Sequence, residues 1–178
     1  MRSARALITT TLALLSACGG DSGTGAAADP LPGSTELAQR DAEALAAADA
    51  CSLLADDEVH ALLGQGATGR EEAGLGFDLA CYWYAAGPNG MRREASVEVS
   101  RLEPEAALRG EYDTFKETMT FREDVSGVGA EAFLAQYGLS GSSLVIRTDS
   151  LLVFLNTTER DREAMLKQLG PGVLERLR

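Results

Sequence analysis

Histidine occurs once in this chain, tryptophan once and cysteine three times, and no apolar run approaches the roughly 20 residues that cross a bilayer as a helix. With His60 as the sole histidine, any His-dependent triad or zinc site has a single residue to draw on, and no nucleophile signature lies near it. Val59, Leu62 and Leu63 share the opposite helical stripe, which puts His60 at the surface. Positive charge is also scarce: 16 Lys and Arg stand against 27 Asp and Glu, a formal net charge of −11. The basic residues are scattered singly or in pairs such as Arg92-Arg93, with no stripe that could follow a phosphate backbone. That excludes nucleic acid as a partner and makes electrostatic attraction to anionic headgroups too weak to hold the protein. The acidic excess serves solubility.

What is present begins at the amino end. Arg2 and Arg5 precede the apolar run Ala6 to Leu15, which closes on Ser16-Ala17-Cys18. A basic start, a short apolar stretch and small residues at its end are the parts of an export signal. Leu15-Ser16-Ala17-Cys18 resembles the lipobox of bacterial lipoproteins, which implies diacylglycerol on the Cys18 thiol, cleavage before Cys18 and a palmitate-type anchor. Residues 1–17 are then the signal peptide. Cleavage removes two basic residues (Arg2, Arg5) and no acidic ones, moving the formal net charge from −11 to about −13. Gly19 lacks the acidic character of an inner-membrane retention signal, so a cell with an outer membrane would carry the protein there; otherwise it sits on the outer face of the cell membrane.

With Cys18 acylated, Cys51 and Cys81 remain as an even pair in an exported protein, which reads as a disulfide. It closes a loop of about 30 residues, worth roughly 3–4 kcal/mol in the chain-entropy treatment. No further metal ligands stand at suitable spacing near either cysteine, so no metal is expected.

Residues 18–34 are almost wholly Gly, Ala, Ser, Thr, Pro and Asp, too polar and small to bury a core, and read as a tether. Residues 35–50 are rich in Ala, Glu and Gln, with Leu37 and Leu45, and favour a helix within the 18–49 tether region. A domain over 50–178 follows, roughly 130 residues, enough for one core. Its opening helix has Asp56-Asp57-Glu58 in the first turn, where acids suit the dipole better than they form a calcium loop, and Gly64 as its stop. A looser glycine-containing stretch runs to Gly76. The pattern then predicts a hairpin, Leu79–Ala85 and Glu94–Arg101 about Gly87-Pro88-Asn89-Gly90, with Ala95, Val97 and Val99 on one face. Leu108, Tyr112, Phe115 and Met119 predict a helix from Pro104 to about Met119. Three strands follow, Ala132–Tyr137, Ser142–Thr148 and Leu151–Asn156, then a terminal helix capped by Thr158 and ending before Gly170-Pro171-Gly172, with a last turn at Val173–Leu177. The expectation is an α+β fold, a single antiparallel sheet of about five strands with helices packed on one face.

Few residues invite chemistry. Gly127-Val128-Gly129-Ala130-Glu131-Ala132 matches a dinucleotide fingerprint only as letters, because strand-like residues follow it where the phosphate-binding helix should open. The glycines read instead as a turn with positive φ or a close backbone approach. Tyr82-Trp83-Tyr84 is the densest aromatic cluster. Alternation sends Trp83 to the core with Cys81 and turns Tyr82 and Tyr84 to the other face, under a helix or toward a ligand. Asn156-Thr157-Thr158 has the form of a glycosylation sequon, which an exported bacterial lipoprotein does not use.

Cys51-Ser52-Leu53-Leu54, Glu58-Val59, Leu62-Leu63-Gly64, Cys81-Tyr82-Trp83 and Val128-Gly129-Ala130-Glu131-Ala132-Phe133 ahead of a Leu-Val-Ile strand are arranged similarly to domain-of-unknown-function family 3558, a group of bacterial, chiefly actinobacterial, envelope lipoproteins. The resemblance runs from about Ala50 onward and implies lipid anchoring, a Cys51–Cys81 bond and an α+β domain; it brings no catalytic residues and no cofactor. The expectation is therefore a non-enzymatic, lipid-anchored extracytoplasmic domain that binds an envelope protein or a small molecule, with Tyr82 and Tyr84 as candidate ligand contacts. The alternatives are a carboxylate-dependent extracytoplasmic hydrolase, which requires an Asp or Glu of raised pKa in a cleft, and a structural envelope protein with an exposed apolar patch.

Overall fold

In the computed structural model, Leu45, residues 49–71 and residues 76–178 are described. The lipidation residue Cys18, the signal segment and nearly all of the 18–49 tether region lie outside them. Leu45 is an exception: it is helical and buried with the main core.

A 3-10 turn, Ala50–Leu53, leads into helix α1, Asp56–Leu63. Strands β1 (Thr68–Glu71), β2 (Leu79–Ala86) and β3 (Arg92–Arg101) follow as an antiparallel meander. Helix α2, Glu105–Thr118, carries the chain to the far edge of the sheet. From there β4 (Phe121–Val125), β5 (Glu131–Tyr137), β6 (Gly141–Arg147) and β7 (Leu151–Thr157) fold back by successive antiparallel pairings. The last of them pairs with β3, giving one seven-stranded sheet in the order β1-β2-β3-β7-β6-β5-β4. Helix α3, Glu163–Arg176, ends the chain.

The α+β class and single antiparallel sheet are as expected; the sheet has seven strands rather than about five. The two extra strands are its edges. β1 reads Thr-Gly-Arg-Glu and β4 reads Phe-Arg-Glu-Asp-Val, both largely exposed. An edge strand bonds on one side only, and short, charged edges resist pairing with other chains, so neither shows the apolar alternation by which inner strands are recognised.

The helices also occupy both faces, not one. On the first face, Cys81, Trp83, Val97, Val153, Leu155, Leu134, Leu144 and Ile146 pack with Leu62 and Leu63 of α1 and Leu166 and Val173 of α3. On the second, Leu108 and Tyr112 of α2 pack with Phe133, Ala135, Val145, Leu152 and Phe154. β6 and β7 are therefore buried on both sides: β7 is apolar from Leu151 to Leu155, and β6 carries Leu144-Val145-Ile146 between the buried polar residues Ser142, Ser143 and Arg147. Phe115 meets Phe154 edge-on with ring centroids 4.9 Å apart, and Tyr112 meets Phe133 at 5.2 Å.

The carboxyl-terminal helix differs in both of its expected limits. Thr158 does not cap it. Its hydroxyl accepts the Glu94 backbone N–H at 2.9 Å, extending the β3–β7 seam, and the helix opens at Glu163. It then continues through Pro171, because Leu166, Gly170 and Val173 form one buried stripe against β6, and that burial outweighs the roughly 3 kcal/mol cost of an internal proline. Gly170 sits flush on the sheet: a Cβ there would lie 2.9 Å from Val128 and 3.1 Å from Leu144.

The Cys51–Cys81 disulfide joins the opening turn to β2, with Cα atoms 5.1 Å apart. Arg176 on α3 clasps Glu58 on α1 with two bonds of 2.8 and 3.0 Å, and the Glu58 carboxylate also accepts the Ala55 N–H at the start of α1. The acids at this helix start thus serve the helix end and an interhelical pair. Among the described residues no helix is long and apolar enough to cross a membrane.

Candidate functional site

Strand alternation places Tyr82, Tyr84, Glu94, Ser96, Glu98 and Asn156 on the second face, the same face as α2. The helix packs on β6 and β7; toward β2 and β3 that face turns polar. Trp83 and Cys81 go to the first face and are buried, with the Trp83 indole lying over Gly69 of β1. A Cβ on Gly69 would sit 2.5 Å from Trp83 Nε1, so the aromatic ring takes the place a side chain would fill. The two tyrosines meet different surroundings. Tyr82 is 9% exposed, and Tyr84 is half-buried with the Arg92 guanidinium 4.0 Å from its ring centroid. Their rings stack 6.4 Å apart, 9° from parallel.

Beside them runs a hydrogen-bonded line across three neighbouring strands. Ser143 on β6 donates to Asn156 Oδ1 at 2.6 Å. The Asn156 amide donates to Ser96 Oγ at 3.0 Å and Glu98 Oε1 at 3.1 Å, and Ser96 donates to the same carboxylate oxygen at 2.8 Å. All four side chains are buried. They lie where β3 meets β7, the seam at which the two meanders join. Burial raises the Glu98 pKa above the usual carboxylate range; hydrogen bonds from Ser96, Tyr82 and Asn156 pull the other way, and the Glu94 charge adds to the rise. Glu94, four residues earlier on the same face, accepts from Tyr137 at 3.1 Å and from Arg92 at 3.0 Å. The Tyr137 hydroxyl is held far above its ordinary pKa by burial and then by Glu94 and Glu98, so it acts as a neutral donor.

Chemically this half-face offers carboxylate acceptors, the neutral Tyr137 hydroxyl, two further tyrosine rings and one amide. Ser143 donates to an amide, which is no base, whereas Ser96 donates to the Glu98 carboxylate, which also accepts from Asn156 and is buried with it. His60 is on α1, over the other face, within 3.4 Å of Gln65. Glu94 and Glu98 are separated along an extended strand by about 13 Å of backbone, with Ser96 between them. Asn156 is 3% exposed with both amide atoms engaged, which removes it as an acceptor for glycans. The links that join Glu98 to Asn156, Asn156 to Ser143 and Tyr137 to Glu94 carried no signal in the sequence, because a network made across strands has no spacing along the chain. The polar side of β3, Glu94-Ser96-Glu98, was the one legible trace.

Clefts open elsewhere among the described residues, two of them lined by neither Tyr82 nor Tyr84. One, of about 710 Å³, lies at the end of the sheet between Gly127–Ala130, Thr148–Leu151 and the last turns of α3. The Gly127-Val128-Gly129 segment forms its wall as a turn. Gly127 and Gly129 have φ of 79° and 64°, and a Cβ on Gly129 would meet the Arg147 carbonyl oxygen at 2.6 Å. No helix opens behind it, since β5 follows. Thr148, on its rim, is consumed by its own turn, accepting the Leu151 N–H at 2.9 Å. The second cleft, of about 380 Å³, lies beside α2, lined by Tyr112, Lys116, Asp124 and Glu131. Burial, then the Glu131 charge, pushes the Tyr112 pKa up to about 12. Glu131 is bound at 2.9 Å by the buried Arg147 of the neighbouring strand β6, and Arg109 of α2 reaches the same carboxylate at 3.6 Å, so ion pairs at this cleft tie α2 to the sheet. Among the described residues no group of three or more His, Cys, Asp or Glu is placed to hold a metal ion.

Comparison of the chain with protein-family models, with curated proteins and with solved structures finds no match.

Proposed function

We propose that this is a lipid-anchored extracytoplasmic binding protein, acylated on Cys18 and carrying its recognition surface on the polar half of the second sheet face. Membership of domain-of-unknown-function family 3558 belongs to the same proposal, as does placement on the outer face of the cell membrane, or on the outer membrane where one exists. The observation that carries it is the Leu15-Ser16-Ala17-Cys18 motif ahead of a Gly, Ala, Ser and Pro segment, the arrangement of a domain held away from a bilayer. Support for binding comes from Tyr84, Arg92 and Glu94, which border the buried network with an aromatic ring, a cation and a carboxylate packed together on β2 and β3. The envelope protein or small molecule it would hold needs no cofactor.

Mass spectrometry of the chain from cells fed labelled palmitate tests the anchor: a diacylglyceryl group on Cys18 is expected, and loss of membrane association in Cys18→Ser. An unmodified Cys18 in a cleaved, exported chain defeats the placement. Thermal-shift titration of the mature chain with envelope fractions tests recognition. Ligand-dependent stabilisation should fall in Tyr84→Ala and Glu94→Gln, and equal stabilisation in both variants defeats the assignment of the surface. A hydrolase reading is favoured by one observation, the raised Glu98 pKa. It requires a second carboxylate across a scissile bond, and Glu98 is instead engaged by Ser96 and Asn156.

A further inference from the structure

Among the described residues, three large hydrophobic side chains are exposed: Leu139 at 99%, Met91 at 67% and Phe121 at 44%. The first two stand on turns that the topology brings to one end of the sheet. Ala95 of β3 pairs with Thr157 of β7, Thr157 with Ser142 of β6, and Ser142 with Gln136 of β5, so these four residues form one row. Met91 lies four residues beyond this row in the β2–β3 connection, and Leu139 three beyond it in the β5–β6 connection, about 13 and 10 Å past it at the rise of a strand. The midlines of the two hairpins are three strand spacings apart, about 14 Å. Both side chains therefore stand at one end of the sheet, on either side of residues 158–162, which leave β7 between them.

We propose that this end of the sheet seats on the phospholipid bilayer, with Met91 and Leu139 inserted among the headgroups. The inference rests on the lipid-anchored reading. A mature chain whose net charge is about −13 gains nothing from anionic lipid at long range, so two apical side chains alone hold it too weakly to recruit it from solution. Tethering changes that: a segment of some 25–30 residues confines the domain within a few nanometres of the membrane, and weak contacts become populated at such effective concentrations. Inserting one large apolar side chain shifts the docked-to-undocked ratio about tenfold or more. In the docked state the Thr148–Leu151 turn, at the other end of the strands, is the part farthest from the bilayer, with the 710 Å³ cleft open to the medium.

The test uses the full mature chain with Cys18→Ser and an amino-terminal histidine tag, held on vesicles of 3:1 phosphatidylcholine and phosphatidylglycerol containing nickel-chelating lipid. This keeps docking measurable whether or not the cell acylates Cys18, so failure of the anchoring reading and failure of docking are separately visible. An environment-sensitive fluorophore is placed at Met91→Cys, Leu139→Cys or, at the opposite end, Asp149→Cys. On tethering, emission at the first two positions should shift to the blue and be quenched by spin-labelled lipid, while position 149 stays water-like. Leu139→Ser should reduce quenching of the probe at 91 by lowering the docked ratio about tenfold, with an unchanged melting temperature, since the side chain packs on nothing. Probes at 91 and 139 that stay water-like on a tethered chain overturn the proposal. So does a blue shift that depends on protein concentration in the absence of vesicles, which would assign these tips to a second copy of the chain.

Discussion

Replacing both Cys51 and Cys81 by alanine removes the covalent link between the opening turn and β2. The closed loop has a sequence separation of 30 and contains α1 and β1. Releasing a loop of that length to the unfolded ensemble costs the folded state about 3.6 kcal/mol in the chain-entropy treatment. Truncating the fully buried Cys81 sulfur adds a fraction of a kcal/mol through lost packing, for a total of about 4 kcal/mol. That is a large part of the stability of a domain of this size and corresponds to a fall in melting temperature of roughly 10–15 °C. The assay is urea unfolding followed by the emission of Trp83, the sole tryptophan, two residues along β2 from Cys81 and on the same face. The wild-type chain in excess reductant should lose nearly as much as the double variant, because both free the same loop. A loss below about 1.5 kcal/mol in the double variant would refute the reasoning. A full loss accompanied by a large fall in the denaturant slope would show that the bond acts through residual structure in the unfolded chain.

Glu98→Gln tests the buried carboxylate. Burial raises its folded pKa above the unfolded value near 4.5, so the folded state holds the proton more tightly. The corresponding stability is complete below pH 4.5 and is lost as pH rises through the folded pKa. The variant, which keeps a carbonyl acceptor for Ser96 and Asn156, should lack that decline as pH rises above 4.5; an unchanged stability–pH curve contradicts the assignment. Asn156→Ala strands the Ser143 hydroxyl and one bond to Glu98, and should cost about 1–3 kcal/mol in chemical denaturation; a neutral result would mean that the network does not hold the β3–β7 seam. Gly69→Ala forces the Trp83 indole to move and should destabilise by about 1–3 kcal/mol with a shifted emission maximum; unchanged emission would show that β1 does not lie under the ring.

Patterns carried along the chain were legible before any coordinates. The alternation of β3, the three- and four-residue spacing of Leu108, Tyr112 and Phe115, the turn at Gly87–Gly90 and the pairing of Cys51 with Cys81 each depend on residues near in sequence or on simple cysteine arithmetic, and each is present in the fold. The division of Tyr82-Trp83-Tyr84 between faces follows from the same period of two. What tertiary structure alone decided is whatever depends on a neighbour far along the chain. β1 and β4 are strands because β2 and β5 offer them an edge, although Thr-Gly-Arg-Glu and Phe-Arg-Glu-Asp-Val hide no apolar face. Pro171 stays inside α3 because Gly170 lets that helix lie against β6. Helices cover both faces because α2 must cross the sheet to reach its far edge. Glu98, Ser96, Asn156 and Ser143 become one buried network only when β7 returns to close the sheet against β3, since hydrogen bonds perpendicular to strands join residues that no local spacing can bring together.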